Sequence, residues 1–146
     1  MVDGSNLAWI SSASRAAGGR PSFAVLEQGV AALQRRYPNR DVHVVIDATL
    51  RHDVVEKERA AVQAAIDARR VVQPPAGTEG RGDALVVDIA NAVDGVIVSN
   101  DNFAPLQPAN PWLRTFGRML GATLSQGVWV FSSRVPPLNS GGRYKP

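Results

Sequence analysis

Val96-Ile97-Val98-Ser99-Asn100-Asp101 decides how the rest of the chain is read. Three β-branched residues in succession, with no polar alternation, read as a strand buried on both faces, the condition of a parallel sheet covered by helices. The run stops at a serine, an amide and a carboxylate. The carboxyl ends of parallel strands are where open α/β sheets bind ligands. The start of the chain repeats the pattern, with Met1-Val2 followed by Asp3-Gly4-Ser5-Asn6. If the two strands are neighbours, Asp3 and Asp101 meet at one edge of the sheet. Only Met1 and Val2 precede Asp3, fewer than the ~5–6 residues of an ordinary strand. That is expected of a start lying upstream or of a domain cut from a longer chain.

Outward from these strands, apolar runs of strand and helix period alternate. Ser22 is placed to cap a helix reaching about Tyr37, with Leu26, Val30, Leu33 and Tyr37 on one stripe. Val42-His43-Val44-Val45-Ile46 reads as a second strand, again ending on a carboxylate, Asp47. Asp53, with Glu56 three residues on, resembles a capping box at the start of the next helix. Arg70-Val71-Val72-Gln73 is a weaker strand. Residues 78–82 form a flexible approach to a helix from Asp83 to about Val93. A proline-rich loop over 104–111 leads into an amphipathic helix carrying Trp112, Leu113, Phe116 and Leu120, and Val128-Trp129-Val130-Phe131 is the last strand. Trp112 and Trp129 are assigned to the core. The alternation predicts one α/β domain over residues 1–135, a three-layer α/β/α sandwich with a mainly parallel sheet of about five strands. Residues 136–146 are expected to form a mobile tail.

Composition narrows the classes. At 146 residues the chain can bury a core of its own, and 45% hydrophobic with 20% charged residues is ordinary for a globular domain. No apolar run approaches the ~18 residues of a membrane span, so no membrane partner is expected. There is no cysteine, which excludes disulfides and thiolate metal sites and makes a cytoplasmic location the default expectation. A formal charge of +3 permits an anionic partner without requiring one.

The acids carry the functional reading. Asp3, Asp47 and Asp101 each follow an apolar strand and should emerge on one edge of the sheet, and Asp83, opening a helix, can face the same edge. Carboxylates gathered there repel one another by about 4 kcal/mol per pair at ~4 Å and an effective dielectric near ~20. They must therefore hold protons or a cation. Oxygen ligands without thiolates suit Mg²⁺ or Mn²⁺, and such an ion can orient an attacking water and stabilise charge on a phosphodiester. Each acid also has a plain role: Asp3 and Asp101 as turn formers, Asp83 as a helix cap. Asp47 reads as structural or supporting rather than as a ligand. Asp88 lies roughly 140° around the helix from Asp83 and is supporting at most.

Val2-Asp3-Gly4-Ser5-Asn6, Gly82-Asp83 at the head of an aliphatic helix, and Asp94-Gly95-Val96-Ile97-Val98-Ser99-Asn100-Asp101 together resemble the NYN branch of the PIN-like ribonucleases, most of all the Regnase type. The resemblance runs from Val2 to about Val135. It implies a Mg²⁺- or Mn²⁺-dependent endoribonuclease acting on single-stranded or loop RNA. By position it makes Asp3, Asp83 and Asp101 the metal-binding acids, Asn6 the amide orienting the first acid or the substrate, and Ser99 the hydroxyl beside the last acid. Regnase-type nucleases carry two adjacent acids at the helix start, and the first of that pair is Gly82 here. A further acid four residues beyond the last is Pro105. A cysteine-free chain also cannot supply their zinc finger. These departures keep open a second reading, a weak or inactive PIN-like module that binds RNA or a protein partner.

Phosphate contacts need Arg or Lys near the acidic edge. Arg51 and His52, just past the second strand, and Arg81, just before Asp83, are the candidates for RNA contact. Trp9 could stack a base, but a core role is the expectation. The sequence leaves a homodimer or a regulatory protein partner open.

Overall fold

The computed structural model describes residues 1–11, 18–75 and 82–138. The elements follow in chain order as β1 (Val2–Asp3), α1 (Gly4–Ala8), α2 (Phe23–Arg36), β2 (Val44–Val45), α3 (Leu50–Asp53), α4 (Glu56–Asp67), α5 (Asp83–Ala92), β3 (Ile97–Val98), β4 (Met119–Ser125) and β5 (Val128–Ser133). Among the described residues they build a five-stranded sheet of order β2-β1-β3-β4-β5. The first three pairings are parallel, and β5 returns antiparallel to β4. The two strands that begin the argument are direct neighbours, with Val2 opposite Val98.

Both faces of the parallel strands are covered, as their unbroken apolar runs require. Val2, Val44, Ile46 and Val98 pack on one face with Leu7 of α1, Phe23, Leu26 and Leu33 of α2, and Val62 and Ala65 of α4. Val45, Ile97 and Met119 point the other way, against Val86, Val87 and Ala90 of α5 and against Phe103 and Leu113. Neighbouring residues of a strand thus serve opposite cores. The expected α/β/α layering holds.

The helix from Ser22 is also as expected, with the Ser22 hydroxyl accepting from Val25 N–H at 3.2 Å. A second cap comes from a distant element: Glu58 of α4 accepts from the N–H groups of Phe23 (3.0 Å) and Ala24 (2.8 Å). These are two of the donors that a helix start leaves unpaired, and a carboxylate suits its positive end.

Three expectations fail. Asp53 ends α3 instead of capping α4, whose N-cap is Val55, so the apparent capping box is a coincidence of spacing. Residues 70–73 give only one bridge, Val72 beside Val45. The helix expected over residues 112–120 does not form. Pro111–Arg114 makes a single 3₁₀ turn, Phe116 is exposed, and Met119–Ser125 is a strand, joined to β5 by Gln126 and Gly127 at φ 50° and 78°. Two positive φ angles in a two-residue loop match the right-handed twist of a hairpin. The four-residue spacing of Trp112, Phe116 and Leu120 imitated a helix, whereas pairing with β3 and β5 satisfies the backbone. Trp112 and Trp129 sit half-buried at the margins of the two cores rather than inside them.

The tail is anchored further than expected. The carbonyls of Pro136 and Pro137 accept from Arg114 Nε (3.1 Å) and Gln107 Nε2 (3.0 Å). Residues 139–146 lie outside the described residues, as does the approach segment 78–81.

Candidate active site

Asp3, Ser5, Asn6, Trp9, Asp47, Asp83 and Asp101 line a cavity of about 240 Å³ at the carboxyl edge of the parallel strands. The topology explains the convergence: β1 and β3 lie side by side and release Asp3 and Asp101 together, while α5 opens with Asp83 over the same edge. Gly4 belongs to this arrangement through size rather than through turn geometry. A β-carbon there would lie 2.8 Å from the Val45 carbonyl oxygen and 2.9 Å from Ile46 Cγ2, so only glycine lets α1 begin directly against β2.

Polar bonds tie the acids to one another. The Ser99 hydroxyl, fully buried, donates to Asp3 Oδ2 at 2.7 Å and accepts from Asp101 N–H at 3.0 Å. Asp101 Oδ1 accepts from Phe103 N–H at 2.8 Å. The Asn6 amide oxygen accepts from Asn100 N–H at 3.0 Å, joining α1 to the loop after β3. Asn6 therefore orients the strand that carries the last acid, and its own backbone N–H favours the charged form of the first.

Asp3 is 5% exposed. Burial pushes its carboxyl from the usual value near 3.8 up to about 7, and the negative charges of Asp83 and Asp101 push the same way. The Ser99 and Asn6 bonds oppose that rise without cancelling it. A half-protonated carboxylate at neutral pH is a group waiting for a positive charge. Among the described residues, no three acidic or histidine side chains close on one point as a ready-made ligand cage. The acids line the cavity wall instead.

The remaining sequence-derived residues divide. Asp47 lines the cavity, its backbone N–H donating to Ser5 Oγ at 2.7 Å and its Oδ1 accepting from Gly82 N–H at 2.6 Å. Asp88 is exposed and absent from the cavity wall, as its angle from Asp83 requires. Arg51 turns toward α4 and donates to Gln63 Oε1 at 3.0 Å. Neither it nor the exposed His52 lines the cavity. Arg81 lies outside the described residues.

One contributor was ranked as core in the sequence reading and another escaped it. Trp9, expected in the core, is half-buried on the cavity wall. Arg134, just past β5, donates to the carbonyls of Ser99 (3.2 Å) and Asp101 (2.9 Å) and to Asn102 Oδ1, gripping the loop that presents Asp101. Nothing local marked Arg134, because its partners are more than thirty residues away. Trp9 sits one turn of helix beyond Ser5 and Asn6, a spacing that could have signalled a shared face.

No family model and no curated protein matches the chain. Its architecture nevertheless matches solved structures. Nuclear proteinaceous RNase P 2 (PRORP2) from Arabidopsis thaliana aligns over 92% of this chain with a TM-score of 0.67 and 18% sequence identity. A second structure of that protein aligns over 94% with a TM-score of 0.66 and 19% identity. The matches take in 29% and 30% of those chains, so this chain spans less than a third of their length. The shared part is the expected PIN-like α/β fold, a five-stranded, mainly parallel sheet with helices. At such identities the likeness is one of fold.

Proposed function

We propose that this chain is a divalent-metal-dependent endoribonuclease of the Regnase type, cleaving single-stranded or loop RNA. The observation that carries the reading is the shared cavity of Asp3, Asp83 and Asp101, in which burial first, and then the charges of the other two, push Asp3 up to about 7. The fold likeness to an RNase P protein supports it. The donor set fits a hard cation: every candidate ligand is an oxygen, and the repulsion among the acids is what such a charge relieves. Asp3, Asp83 and Asp101 would hold Mg²⁺ or Mn²⁺, which when bound supplies charge neutralisation for the phosphodiester and makes the attacking water more acidic.

The chain's own groups prepare the site. Ser99 fixes the rotamer of Asp3 and the backbone of Asp101 at once. Asn6 and Arg134 hold the loop after β3 from two sides, so Asp101 is presented on a rigid support. Trp9 gives the cavity an aromatic wall on which an unpaired base can stack, consistent with single-stranded substrate.

The test is cleavage of a fluorescent single-stranded RNA under Mn²⁺ titration. Wild type is expected to cut, and Asp101→Asn to lose at least about a hundredfold in rate with an unchanged circular dichroism spectrum. Undiminished cleavage by that variant refutes the assignment. A second reading, an RNA-binding module without turnover, is favoured by Gly82 and by the absence of a closed ligand cage among the described residues. It predicts RNA binding by wild type with no Mn²⁺-dependent cut.

A further inference from the structure

At the head of α5, Gly82 and Asp47 meet closely. Asp47 Oδ1 accepts the Gly82 N–H at 2.6 Å. A β-carbon built on Gly82 would sit 3.2 Å from that same oxygen and 3.2 Å from Val45 Cγ1, with the Ile46 carbonyl at 3.6 Å. A side chain at position 82 would therefore crowd the carboxylate of Asp47, which would have to give by a few tenths of an ångström. Asp47 is not loosely placed, since its backbone N–H is held by Ser5 Oγ at 2.7 Å and it lines the cavity with Asp3, Asp83 and Asp101.

We infer that Asp47, just past β2, supplies a carboxylate of the cation-holding set beside the place where a side chain of residue 82 would start. This rests on the ribonuclease reading above. The charge missing at Gly82, the N-cap of α5, enters from the segment just past β2, and glycine at 82 leaves that carboxylate uncrowded. Asp47 has two separable duties: an acceptor for Gly82 N–H, which steadies the helix start bearing Asp83, and a negative charge facing the cavity.

Asp47→Asn separates them, because the amide oxygen can still accept from Gly82 while the charge is gone. Mn²⁺ binding to the full chain, followed by electron paramagnetic resonance of the free ion, is expected to weaken about tenfold or more in Asp47→Asn. Asp101→Asn is the reference. If Asp101→Asn loses Mn²⁺ affinity while Asp47→Asn keeps the wild-type value, Asp47 merely braces the helix and this inference falls, with the ribonuclease reading intact. If wild type takes up no Mn²⁺, or Asp101→Asn binds as wild type does, the ribonuclease reading itself fails and takes this one with it. Should Asp47→Asn lose its circular dichroism signature, the double variant Asp47→Ala/Gly82→Asp puts the same question. Returning an acid to position 82 in the vacated space is expected to give Mn²⁺ affinity within about threefold of wild type, and a folded double variant without it overturns the inference.

Discussion

Ser99 shows how much of the site hangs on single atoms. Its hydroxyl is the donor to Asp3 and the acceptor for Asp101 N–H, and Ser99 itself is fully buried. Ser99→Ala strands both partners, and a buried polar group left unsatisfied costs about 1–3 kcal/mol. The variant should unfold at correspondingly lower urea, and it should cut RNA at least about tenfold more slowly because Asp3 loses its fixed rotamer. A urea midpoint equal to that of wild type would contradict the role given to this bond. Asp3, Asp47 and Asp101 were legible in the sequence because each follows an apolar strand and strand ends gather at one edge, and Asp83 because it opens a helix that can face that edge. Ser99's duty to Asp3 was not, since the two residues are 96 positions apart and the sequence shows Ser99 only beside Asp101. Trp9 was misplaced for a related reason: a large apolar residue near a strand end reads as core until the cavity is seen.

Elements were legible where burial alone decides them and obscure where distant contacts do. The runs at 44–46 and 96–98 could only be strands of a two-sided sheet. Met119–Ser125 could not be recognised the same way, because Gly121 and Thr123 dilute its apolar pattern and its strand state depends on β3 and β5 as partners. The cap of α2 is a similar case, since the carboxylate comes from α4. Glu58→Ala should destabilise the protein by about 1 kcal/mol while leaving RNA cleavage per folded molecule unchanged. Calorimetry and a kinetic assay on the same preparation check both halves, and a cleavage defect would show that α2 and the cavity are coupled. Arg134 makes the opposite prediction. Arg134→Met keeps much of the apolar stem but frees the carbonyls of Ser99 and Asp101. Cleavage is expected to drop about tenfold or more, with loss of only about 1–2 kcal/mol of stability. A variant of wild-type rate would mean that the loop after β3 needs no clamp.

At the scale of the whole molecule, the sheet forces negative charge into a buried corner, and folding has to bear that cost when no cation is present. The raised value of Asp3, about 7 against an ordinary 3.8, fixes the direction. Between those two values the folded chain keeps a proton on Asp3 that the unfolded chain has released, so stability is full below about pH 3.8 and is lost as pH rises toward 7. At about 1.4 kcal/mol for each unit, the whole effect is on the order of 4 kcal/mol. Asp3→Asn keeps an acceptor for the Ser99 hydroxyl but has no proton to lose. The metal-free variant should therefore gain on metal-free wild type progressively from about pH 4 to pH 7, with the difference constant above that. Mn²⁺ should reverse the order at pH 8, raising the melting temperature of wild type by mass action and leaving Asp3→Asn nearly unmoved. Urea melts of both proteins across that range, with chelator and with Mn²⁺, decide it. A difference between them that ignores pH would mean that Asp3 is already ionised and comfortable in the folded chain, and that the corner has no unmet need for a cation.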